Sequence, residues 1–159
     1  DFTVARDPKE GQAWLTHCYG MIGKGRANAP ARSIGNELYV VTGQAPHQLD
    51  RNITLVGRVV QGMELLSVLP RGTGALGFYE KPEQRVAIKS IRLAVDVPES
   101  ERTPLEMLRT DSATFAAATE ARRNRRDGWY VRPAGHIDLC NVPLPVRDPN
   151  APVKSPAKP

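Results

Sequence analysis

The stretch LDRNITLVGRVVQGMELL, residues 49–66, decides how the rest of the chain is read. It opens with an Asp-led turn at Asp50. Residues 54–61 then place Leu55, Gly57, Val59 and Gln61 on one face and Val56, Arg58 and Val60 on the other, the two-residue period of a strand. Gly62 opens a second turn, and Met63, Leu66 and Leu69 follow at helical spacing as core candidates. Pro70 ends that short helix, residues 63–69, because proline disfavours helix in the residue before it. Turn, strand, turn and short helix is the expected order.

Upstream, residues 36–42 (NELYVVT) alternate again, with Leu38, Val40 and Thr42 opposite Glu37, Tyr39 and Val41. A loop carrying Pro46, His47 and Asp50 joins this strand to the next, and residues 27–35 read as another loop. Residues 14–17 lead into GMIGKGR (20–26), a glycine-rich strand whose glycines mark a bend or a close backbone approach. It is not a phosphate loop, because no G-K-[ST] follows and no helix opens there. The opening to Gly11 is polar and reads as loop. Downstream, residues 71–83 are turn-like, and 86–95 is a β-prone run expected to be the domain's last strand. Several strands separated by turns, with little helix, predict a mainly β domain built as a sheet or barrel.

The composition changes beyond Pro98. One helix is expected over residues 112–127, capped by Thr110 or Asp111, rich in alanine, and ended by Gly128. Arg122, Arg123, Arg125 and Arg126 crowd its last turns, where positive charge favours the helix dipole; a binding patch is the other reading. Trp129 and Tyr130 are expected to anchor the proline-spaced tail that follows, and the terminal APVKSPAKP reads as disordered.

The chain has 159 residues and a formal charge of +5, with 12 basic and 9 acidic residues up to Asp96, then 10 and 8 after it. An excess spread this evenly argues against a nucleic-acid surface. No apolar run approaches the ~18 residues of a membrane-spanning helix. Cys18 and Cys140 are too few for a disulfide scaffold and lack CxxC or Cys/His metal spacing. Buried free thiols are favoured over a bridge. His17, His47 and His136 are not at ligand spacing, so no metal or cofactor is expected; His17 reads as a satisfied polar side chain near a strand start.

The opening stretch resembles the LDG-x-x-T-V-F-G-x-V-x-x-G-M segment of cyclophilin-type peptidyl-prolyl isomerases. The resemblance is carried by an ordered set: Asp1-Phe2-Thr3, His17 with Gly20, residues 33–42, Leu49-Asp50, Gly57 to Val59, and Gly62-Met63. It covers residues 1–97 and implies the C-terminal part of a cyclophilin-like antiparallel β-barrel, truncated at its N-terminus. A helical extension, residues 98–147, packs on the barrel in this reading, and residues 148–159 form a disordered tail. The segments RTDSATF (109–115), EARRNRRD (120–127) and AGHIDLCNVPLPVR (134–147) resemble the tail of certain proteobacterial homologues, which implies a periplasmic or secreted protein.

Rotation about an X–Pro amide faces a barrier of ~18–20 kcal/mol. Lowering it takes an apolar seat for the proline ring, a grip on the flanking backbone, and donors that favour the twisted amide; no titrating acid or base is needed. The resemblance implies that Tyr39 and Leu49 line the proline pocket, with simple core packing as the alternative for both. Glu37 stands at the family's backbone-binding glutamine, or else is a solvated strand residue. Gly25 and Arg26 match the family's Ala-Asn pair by spacing, Gln48 replaces a frequent tryptophan, and Ile53 replaces a pocket histidine or tyrosine. The main catalytic arginine would lie upstream of residue 1, so these residues alone are expected to be poorly folded and inactive. The implied function is isomerisation of X–Pro bonds in polypeptides by a monomer. A cyclophilin-shaped module that binds peptides without catalysis is the alternative.

Overall fold

A computed structural model describes residues 4–26 and 37–152. The Asp1-Phe2-Thr3 motif, the loop 27–35 with Asn36, and the tail end 153–159 lie outside the described residues. The chain divides into two compact units, one of Asp1–Met63 with Met107–Val146, the other of Glu64–Glu106 with Arg147–Pro159.

The first unit opens on a hairpin, β1 (Val4–Asp7) paired antiparallel with β2 (Gln12–Leu15), with Val4 opposite Leu15 and Asp7 opposite Gln12. Residues before Gly11 are therefore not the loop expected from their polarity. The turn holds because Asp7 Oδ1 accepts from the backbone N–H groups of Lys9 (2.9 Å) and Glu10 (3.3 Å), while Gly11 takes a positive φ of 62°. A local pairing of this kind needs no buried face, so hydropathy does not reveal it.

A three-stranded antiparallel sheet follows, with β3 (Met21–Lys24) between β4 (Leu38–Val40) and β5 (Leu55–Arg58). Both outer strands are shorter than the alternation predicts, but the faces agree with it. Leu55 and Val41 are buried, Tyr39 is half-buried, and Leu38 and Val56 are exposed. Ile22 pairs with Gly57 and Gly23 with Leu55, a register shift that leaves Val56 without a counterpart. The core beneath is small: Cys18, Met21, Val41 and Leu55, with Leu15, Tyr39 and Cys140 packed against it.

Cys18 and Cys140 form a disulfide with Cα atoms 5.1 Å apart, which corrects the expectation of free thiols. Sequence spacing could not reveal it, because only the fold brings residues 122 positions apart together.

The helix of the extension runs Ala113–Arg123, shorter than the expected 112–127. Ser112 rather than Thr110 or Asp111 caps it, its hydroxyl accepting from Phe115 N at 3.1 Å, while Asp111 is engaged by Arg109. The helix stops at Asn124, not Gly128. Asn124 leaves helical geometry while its N–H still reaches Glu120 O at 3.0 Å and its side-chain amide donates to the Glu120 carboxylate. Trp129 is 80% exposed and meets Tyr130 edge-on, so it does not anchor the tail as expected.

The helix predicted at 63–69 is present as Met63–Ser67. The second unit continues from it through short 3-10 turns at Ala75–Gly77, Pro82–Gln84, Ala94–Asp96 and Glu99–Glu101. The strand expected over 86–95 is not formed, and Val86, Ile88, Ile91, Leu93 and Val95 are exposed. A strand is defined by its neighbour, and among the described residues none pairs with this run. Glu106–Met107 and Val146–Arg147 form a two-residue ladder. Among the described residues the regular elements are mainly strands, with two α-helices, and the sheets do not close into a barrel.

Candidate functional site

The site grows from the contact between β3 and β4. Gly23 faces Tyr39 across the ladder, and a Cβ at Gly23 would fall 2.2 Å from Tyr39 Cζ, so the tyrosine ring lies where only glycine leaves room. Two residues along, where the chain has just left β3 and is about to enter β4, Gly25 N donates to Glu37 O at 2.9 Å. A Cβ at Gly25 would meet Glu37 Oε2 at 2.8 Å. Gly25 and Glu37 thus meet at the end of the strand pair that seats Tyr39 over Gly23.

A hydrogen-bonded chain runs behind Tyr39. Its hydroxyl lies 2.6 Å from Nε2 of His17, a ring with 0% side-chain exposure. His17 Nδ1 lies 2.7 Å from Asp50 Oδ1, which also accepts from His17 N at 2.9 Å. Asp50 Oδ2 takes a third contact, 2.9 Å from His47 Nδ1. A carboxylate only accepts, so Nδ1 of each ring carries a proton, and in a singly protonated ring Nε2 is then the acceptor. The Tyr39 hydroxyl therefore donates to His17. Burial pushes the Asp50 carboxyl up, but the hydrogen bonds from His17 and His47, with the charge of His47, together hold it below its ordinary value. Burial, and then the charge of Asp50, push the Tyr39 phenol above its ordinary value, so Tyr39 stays protonated and serves as ring and donor.

Asp50 is placed by the 3-10 turn His47–Leu49, whose C-cap it forms, its own N–H bonding His47 O at 3.0 Å. Within that turn Gln48 is exposed and Leu49 half-buried; Gln48 O accepts from Asn52 Nδ2, and Leu49 O from the N–H groups of Asn52 and Ile53. Arg51, where the resembled motif has glycine, takes φ 67°. Its guanidinium donates to Gln12 Oε1 at 2.8 Å and lies 5.1 Å from the Trp14 ring centroid, contacts that offset a left-handed backbone costing about 1–2 kcal/mol.

Ile53 lines a cavity of about 280 Å³ with Trp14, Leu15, Arg51, Asn52, Thr54 and Leu55, and none of the other six sequence-derived candidates lines it. Arg26 is exposed just beyond β3. Sequence reasoning left His47 and Asp50 without a role and gave His17 only a structural one, which its burial and hydrogen bonds bear out. One signal was available: His47 and Asp50 stand three apart around a turn, the spacing at which a side chain reaches back to its neighbour. Among the described residues no group of three or more His, Cys, Asp or Glu is arranged to hold a metal ion, and no described helix is long and apolar enough to cross a membrane.

Comparison with known proteins adds two findings. Residues 3–93 match the family model described as cyclophilin type peptidyl-prolyl cis-trans isomerase/CLD. The chain is also similar to "Peptidyl-prolyl cis-trans isomerase-like 2" of Rhizopus delemar, 30% identical over 109 residues, which make up 65% of this chain. The match spans 20% of that relative's length.

Proposed function

The chain belongs to the cyclophilin-type peptidyl-prolyl isomerase family, and on that premise we propose that it binds X–Pro segments of polypeptides and speeds their cis–trans rotation. The observation that carries this reading is the fixed Tyr39 ring. It is seated over Gly23 and tied through His17 to Asp50, so a wall for a proline ring is set before any substrate arrives. Leu49 adds apolar surface, while Glu37 and the Gly25 backbone border the place of the substrate chain. Each ~1.4 kcal/mol by which such a site favours the twisted amide over the planar one gives tenfold in rate.

The strands of residues 4–58 belong, in this reading, to a cyclophilin-like barrel on which residues 98–147 pack as an extension. The Cys18–Cys140 bridge supports that packing, and it also supports a periplasmic or secreted location, where disulfides persist. A peptide-binding module without catalysis is the second reading. It is favoured by Arg26, Glu37, Gln48 and Ile53, which all depart from the family pattern.

A proline-isomerisation assay on the full-length protein beside Tyr39→Ala separates the two. We expect a rate above buffer that falls toward the buffer value in the variant. A wild-type rate equal to buffer with retained peptide binding would leave only the module.

A further inference from the structure

We propose that the Cys18–Cys140 disulfide is a thiol–disulfide exchange site at which His47 is the base, served by small thiols of the glutathione or dithiol class. It is independent of the isomerase reading. Cys140 is half-buried whereas Cys18 is 3% exposed, so an incoming thiol meets the Cys140 sulfur. Beside that sulfur, at 3.7 Å, lies Nε2 of His47, on a side chain half open to solvent. Asp50 Oδ2 fixes the His47 ring from the other side at 2.9 Å and accepts from Nδ1, so when the ring is neutral Nε2, the atom beside the sulfur, is its basic nitrogen. A carboxylate thus orients an imidazole beside the sulfur that is attacked, where it can take the proton of the incoming thiol.

The far end of the bond is also provided for. Thr16 Oγ1, buried, lies 3.3 Å from Cys18 Sγ. Neither sulfur of the disulfide carries a proton, so of these two atoms only the hydroxyl can donate. The same donor would steady a thiolate on Cys18.

His47 Nε2 takes the proton of an incoming thiol RSH. The thiolate bonds to Cys140 Sγ, the Cys18–Cys140 bond breaks, and its electron pair leaves on Cys18 beside the Thr16 hydroxyl. A second thiol attacks the R–S sulfur, releases the R–S–S–R product and leaves the electron pair on Cys140. Cys140 takes back the proton held by His47, and Cys18 takes the one given up by the second thiol. Two thiols are oxidised to one disulfide, and one cystine is reduced to two cysteines.

The test uses reduced glutathione on the native full-length protein, with acid quenching, alkylation and mass mapping of the products. We expect the trapped glutathione adduct on Cys140 and a reduction rate that falls about tenfold or more in His47→Asn near neutral pH. If the histidine merely packed against the bridge, replacing it would loosen the site and speed reduction, so the sign of the change separates the two roles. An unchanged or faster rate in His47→Asn, an adduct on Cys18, or reduction only in denaturant would each overturn the proposal. Thermal melting of the oxidised variant checks its fold, and Thr16→Val should also slow the reaction by weakening the leaving group.

Discussion

Asp50 is the residue on which the site depends, since one carboxylate satisfies two imidazole N–H groups and a backbone N–H. Asp50→Ala strands polar groups on a fully buried ring, at about 1–3 kcal/mol per unsatisfied group, and urea denaturation should show a loss in that range. The pH dependence has a definite sign. The folded-state pKa of Asp50 lies below its unfolded value, so its stabilising contribution is present above the ordinary carboxylate pKa of about 4 and is lost as pH falls through the lowered folded value. Acid titration of stability should fall off below about pH 4, and Asp50→Asn should flatten that limb. An unchanged acid limb in Asp50→Asn would contradict the role. Of this arrangement the sequence showed only parts: alternation placed Glu37 and Tyr39 on one face, and His17 read as a satisfied polar group. It could not show that His17 and His47 share a carboxylate, because that contact depends on the turn delivering Asp50 to His17, 33 residues earlier in the chain.

Among the elements, the pair β3–β4 carries the most information, because Gly23 sits directly under Tyr39. Gly23→Ala should displace the ring and weaken binding of a proline peptide markedly, whereas Gly57→Ala, whose new Cβ would sit 3.8 Å from Ile22 Cδ1, should leave binding near wild type. Equal effects in the two variants, read by titration calorimetry, would show that the ring position is unimportant. In the extension, Ser112→Ala removes the cap that accepts from Phe115 N and should cost about 1 kcal/mol in thermal or urea unfolding. The sheet strands and both helices were legible in the sequence because alternation and helical spacing survive in it. The hairpin was not, since charged residues fill it and it closes through an Asp side chain and Gly11. The run 86–95 reads as a strand by composition yet pairs with no strand among the described residues, which shows that β-propensity states what fits a sheet rather than what forms one.

At the scale of the whole molecule, one covalent bond ties the extension to the connection between β2 and β3. It closes a loop of 122 residues' separation, and removing it with paired Cys18→Ser and Cys140→Ser changes should lower stability by about 2–4 kcal/mol in urea unfolding, chiefly by freeing the unfolded chain. An unchanged midpoint would mean that the extension is held by other contacts. Family membership rests on residues 3–93, and in the proposed reading the departures at Arg26, Glu37, Gln48 and Ile53 make the strength of the activity the decisive question. Exchange spectroscopy by NMR on a short Ala-Pro peptide, with the full-length protein at a small fraction of the peptide concentration, answers it. Cross-peaks between the cis and trans forms should appear with the wild type and vanish with Tyr39→Ala. Exchange no faster than in buffer, with the wild-type protein folded and the peptide bound, would contradict an isomerase.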